Sequence, residues 1–81
     1  MENLKTTEKL DKVTKLTSQA KFVKKQMYYG MEGFATIHKY VYEKIDKALK
    51  ISDSIEDDSV RFVCLNNINE VMDVKINDTQ R

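Results

Sequence analysis

Eighty-one residues, 41% of them apolar and 33% charged, make one domain with a small core, and a lone cysteine, Cys64, rules out any disulfide within the chain. The longest apolar run, Phe62 to Leu65, falls far short of a membrane span, and Met1 to Lys15 lacks the apolar stretch and small-residue cleavage site of a signal peptide. These features exclude a disulfide-rich secreted scaffold and predict a cytoplasmic protein in a reducing compartment, with no membrane attachment.

The net charge of +1 hides an asymmetry: residues 1–51 hold eleven lysines against six acids, and residues 52–81 hold three basic residues against seven acids. Halves of opposite sign favour head-to-tail packing, within the chain or between copies. Twelve of the fourteen basic residues are lysine, whereas bidentate reading of guanine falls mainly to arginine, so base-specific DNA recognition is disfavoured. The richness in Lys, Asn and Ile gives the chain the look of a small phage-like protein. A short chain without covalent staples gains stability by oligomerising, and a homodimer is expected.

Residues 1–7 carry no periodicity and read as a frayed end. From Glu8 the apolar residues Val13, Leu16, Ala20, Val23 and Met27 recur at spacings of three and four, a coiled-coil-type seam. Glu8 and Asp11 come early and Lys21, Lys24 and Lys25 late, as the helix dipole prefers, so the pattern predicts a helix over 8–29. Gly30 and Gly33 are the only glycines in a chain without proline, and Gly30 reads as a left-handed C-cap with a turn behind it. The alternative is a helix continuous through both glycines, about 66 Å long, which could bury its stripe only in an oligomer. The aromatic-x-Gly turn of small secreted helical hairpins of the WxG type looks similar to Tyr28-Tyr29-Gly30. The Tyr42-to-Asp46 spacing that would match their export signal lies inside the next helix, however, and the family is not assigned.

Phe34 to Ile51 is the centre of the pattern. At 100° per residue Phe34, Ile37, Val41, Ile45 and Ala48 form one stripe, widened by His38, Tyr42 and Leu49 on one side and by Tyr40 and Ile51 on the other. An arc this wide requires two neighbours. Ser52-Asp53-Ser54 ends the helix, and Ser54 followed by Glu56, Asp57 and Asp58 reads as an N-cap with an acidic first turn, so a third helix should follow. Phe62, Leu65, Ile68, Met72 and Ile76 make one stripe of it, but Val60, Val63, Cys64, Val71 and Val74 make a second, nearly opposite. The rival is a β-hairpin over 60–76, with Asn66 to Glu70 as its turn. Asn77 to Arg81 reads as a tail. The fold expected is all-α, a small helical hairpin or three-helix bundle in a single domain over 1–81, with an α+β fold carrying that hairpin as the alternative.

No catalytic, cofactor or metal constellation emerges. His38 is the only histidine and sits on the apolar shoulder of the central helix, where a backbone or tyrosine partner would satisfy it. Cys64 lies between Val63 and Leu65 without a second ligand at metal spacing. Asp53, Glu56, Asp57 and Asp58 lack the glycine and alternating ligands of a calcium loop, and Gly30 and Gly33 lack the strand and Lys-Ser/Thr of a phosphate loop.

A surface remains. With the first seam turned inward, Phe22 points outward, and Tyr29, seven residues on, lies above it, with Lys15, Lys25 and Gln26 as a polar rim. Aromatic anchors ringed by polar groups are the signature of a protein-binding hot spot. The expected function is therefore non-enzymatic: an interaction or regulatory protein, such as a small inhibitor, that occupies a protein partner's surface. Two alternatives follow from the same residues. Lysines interleaved with Phe22, Tyr28 and Tyr29 suit a nucleic-acid-binding module, disfavoured by the acidic C-terminal half, and the seam suits a structural coiled-coil element of a larger assembly.

Overall fold

The computed structural model describes residues 5–78 as three helices, α1 (Thr6–Lys25), α2 (Phe34–Asp53) and α3 (Asp58–Asp73), packed pairwise around one core. Residues 1–4 and 79–81, part of the expected frayed end and tail, lie outside the described residues. The β-hairpin alternative is overturned, because 60–73 is helical and the described residues hold no strand beyond an isolated bridge of Tyr28 with Asn77.

Helix α1 starts earlier than expected, at Thr6, because the Glu8 carboxylate reaches back to accept the Lys5 backbone N–H at 3.1 Å. It also stops earlier, at Lys25, with Gln26 as C-cap, so Gly30 lies four residues beyond the cap instead of forming it. The glycines nevertheless make the turn. Gly30 (φ +87°) and Gly33 (φ +75°) both adopt the left-handed conformation, and Gly33 is the N-cap of α2. The continuous helix is thereby excluded, and the molecule is 43 Å long.

Apolar residues recur at every seventh position from Val13 to Ala48, on both sides of the break. Val13, Ala20, Met27, Val41 and Ala48 are all buried, and Phe34 is half-buried against them. Helix α2 presents Val41, Ile45, Ala48 and Ser52 to the core and is packed by both α1 and α3, as its wide arc requires. Tyr40 and Leu49, at the margins of that arc, are exposed. Each fully buried Val, Ile or Met contributes about 1.5–3 kcal/mol by leaving water.

Between α2 and α3 the capping roles differ from those expected. Ser54 closes α2, its hydroxyl donating to the Ile51 carbonyl at 2.7 Å, and Asp57 is the N-cap of α3, accepting the Val60 N–H at 3.1 Å. Arg61 folds back over this corner, donating to the Ile55 carbonyl at 3.0 Å and pairing with Asp58 at 2.6 Å, and Ile55 is buried beneath it. Helix α3 buries Cys64, Ile68 and Val71, a face drawn from both sequence stripes. Phe62, Val63, Leu65 and Met72 are left outside.

Asn77 is no tail residue. Its N–H donates to the Met27 carbonyl at 3.1 Å, its carbonyl accepts the Tyr29 N–H at 2.9 Å, and its side-chain amide donates to Met27 again at 3.2 Å. This bridge holds 74–78 against the α1/α2 turn.

Candidate functional site

Helices α1 and α2 run antiparallel, and the hairpin they form has two sides. Thr14, Thr17, Ser18 and Lys21 of α1 face α3, where Lys21 pairs with Glu70 at 3.3 Å. On the far side of the buried Val13/Ala20 line, Lys12, Lys15 and Leu16 of α1 meet Lys47, Lys50 and Ile51 of α2. These six line an open groove of about 550 Å³, with Leu16 and Ile51 half-buried at its floor and two lysines from each helix along its walls.

Electrostatics set this groove apart. Lys50 pairs with Asp46 at 3.2 Å, but Lys12, Lys15 and Lys47 have no carboxylate partner among the described residues. Three unpaired ammonium groups above an apolar floor attract a ligand that is both acidic and apolar. The groove is the position a fourth helix would take on this bundle, with α3 occupying the equivalent position on the other side.

Phe22 extends this face. It is 67% exposed and lies on the outer crest of α1, seven residues from Lys15, with Gln26 four residues further along. Lys25 is exposed on the opposite flank, the side that carries Lys21. Tyr29 does not join Phe22, contrary to the expectation from a longer helix. Since α1 ends at Lys25, the turn carries Tyr29 to a different surface, where its ring stacks on Phe34 at 5.4 Å between centroids.

That second surface continues along α2 at every fourth residue: Phe34 on His38 at 5.7 Å and His38 on Tyr42 at 4.6 Å. His38 is therefore half-buried with aromatic partners. With Val74, Lys75, Ile76 and Asp78 the rings of Tyr29, His38 and Tyr42 line a shallow depression of about 430 Å³ beneath the C-terminal segment. At its edge Lys24 is 4% exposed, its ammonium donating to the carbonyls of Val71 at 3.0 Å and Met72 at 3.1 Å, and lying 5.7 Å from the Tyr42 ring centroid. Lys24 thus caps the carbonyl end of α3 across the bundle.

Cys64 is fully buried, and burial pushes its thiol above the ordinary value of 9.0 while the Ser52 hydroxyl pulls the other way. Such a thiol is held protonated and inert. Among the described residues no three His, Cys, Asp or Glu side chains converge as a metal site, and no helix is long and apolar enough to cross a membrane.

Sequence reasoning named Lys15 but missed Lys12, Lys47 and Lys50. The signal was present as two Lys pairs at i, i+3 spacing, one on each helix, which an antiparallel hairpin closed at Gly30 to Gly33 brings face to face. Comparison with protein-family models finds no match, and neither a search of curated proteins nor a search of solved structures returns a significant one.

Proposed function

We propose that this protein is a non-enzymatic interaction module whose α1/α2 face captures an acidic, apolar-faced segment of a protein partner and so regulates or inhibits that partner. The observation that carries the reading is the groove, where Lys12, Lys15 and Lys47, without carboxylate partners, surround the Leu16 and Ile51 floor. An amphipathic helix laid into such a groove buries its apolar stripe between the two helices and sets its acids against the lysines. Exposed Phe22 serves as an anchor beside the groove, with Lys15 and Gln26 as rim.

A second reading, nucleic-acid binding, draws on the same lysines. Among the described basic side chains the groove carries only lysine, and its floor is aliphatic, so it offers phosphate neutralisation with Phe22 alone beside it as a ring on which a base could stack.

The test compares fluorescence anisotropy of a synthetic amphipathic helical peptide of leucine and glutamate with that of a short DNA duplex. Peptide binding that weakens at least about tenfold in K47E/K50E supports the first reading. Tighter binding to the duplex, falling steeply with salt, replaces it with the second. Binding to neither removes both.

A further inference from the structure

We infer that one occupant of the groove is α3 of a second copy of this chain, an inference that rests on the groove reading above and names its ligand. Helix α3 carries more apolar surface than its own core uses. Cys64, Ile68 and Val71 face inward, yet Phe62, Leu65 and Met72 are 64%, 36% and 50% exposed. At 100° per residue these three fall with Asn69 in one outer stripe, with Asp58 and Asp73 in the same stripe at its two ends. The outer face of α3 is therefore apolar in the middle, with Asp73 at one end and Asp58, paired with Arg61 at 2.6 Å, at the other; with three acids against one arginine the helix complements a groove that is apolar along its floor and basic on both walls.

Charge decides between self-pairing modes. Two α3 helices packed antiparallel through their outer stripes would bring together helices that each carry Asp58, Glu70 and Asp73 against Arg61 alone, a contact of like net charge. Packed in parallel, they would oppose each acid to itself. Docking α3 of one copy into the lysine groove of the next opposes unlike charges instead, in keeping with the division of the whole chain into a lysine-rich 1–51 and an acidic 52–81. The contact joins two different patches, so it propagates from copy to copy or closes a ring.

Sedimentation velocity at low salt on the full chain tests this, with two variants: K47E/K50E, which spoils the groove, and F62E/M72E, which spoils the outer stripe of α3. Wild type should associate with rising concentration, and more weakly as salt is raised. Each variant alone should stay monomeric. Mixed in equal amounts they should form a dimer and nothing larger, because one chain donates α3 and the other accepts it. Circular dichroism verifies that each variant folds, with F62S as the substitute if F62E/M72E does not. A monomeric wild type, association that survives K47E/K50E, or a mixture without dimer would each overturn the inference. Anisotropy of the leucine-glutamate peptide on F62E/M72E, whose groove is intact and vacated, separates the two claims. Peptide binding there with a monomeric wild type removes only the self-docking, whereas no peptide binding removes the groove reading as well.

Discussion

Replacing Lys24 by Met removes a buried ammonium while keeping most of the aliphatic stem that packs between α1 and α3. Two charge-assisted hydrogen bonds disappear, to Val71 O and Met72 O, along with the cation over the Tyr42 ring. Hydrogen bonds to a charged group are worth about 1.5–3 kcal/mol each, and a cation over an aromatic face about 0.5–2 kcal/mol. Against this, the variant is spared the desolvation of a charge that is 4% exposed, and the two bonds share one nitrogen and are not additive. The net expectation is a loss of about 2 kcal/mol. In a domain of this size that lowers Tm by about 8–16 °C. Urea unfolding followed by far-ultraviolet circular dichroism reads the difference directly, with Lys25→Met, at an exposed neighbour, as the control. The denaturant slope should stay constant, since the core is untouched. A Lys24→Met midpoint equal to that of the control would refute the capping role assigned to this side chain.

Three further outcomes follow from the same structure. Gly33→Ala meets no steric obstacle but must hold φ +75°, so it should destabilise by about 1–2 kcal/mol in thermal melts, and Gly33→Asn by less. The Cys64 thiol, raised above 9.0 in the fold, keeps its proton where the unfolded chain loses it. Its contribution to stability is therefore fully present below about pH 9 and lost as pH rises through the folded value, and wild-type urea midpoints should fall faster than those of Cys64→Ala above that pH. A parallel decline of the two would refute this linkage. Phe22→Ala, at a 67% exposed site, should leave circular dichroism unchanged and stability within about 0.5 kcal/mol, while weakening capture of the leucine-glutamate peptide. A larger loss of stability would make Phe22 a packing residue.

The central helix was legible because its period is carried by Val41, Ile45 and Ala48 themselves, and the turn because left-handed φ selects glycine at 30 and 33. Helix α3 was only half legible. Its buried set takes Cys64 and Val71 from one sequence stripe and Ile68 from the other, and amphipathicity is weakest where both faces are apolar. What escaped was the set of long-range polar contacts. Nothing near Lys24 in the chain announces that its ammonium ends on carbonyls 47 and 48 residues away, and nothing near Asn77 announces a bridge to Met27. Tyr29 was misplaced for a related reason: α1 ends at Lys25, ahead of any glycine, as Met27 turns inward and its carbonyl goes to Asn77.

That bridge also orders events in time. The α1/α2 hairpin closes through local contacts as soon as both helices exist, whereas Asn77 must travel back across fifty residues to reach Met27. On the ribosome this residue emerges after both helices of the hairpin, so a nascent chain passes through an interval as an unlatched hairpin whose α3 side is still bare. The amide of Tyr29, which donates to Asn77 and to no helix, is a single-proton clock for the end of that interval. Its protection from hydrogen exchange begins when the latch shuts, independently of the moment the helices form.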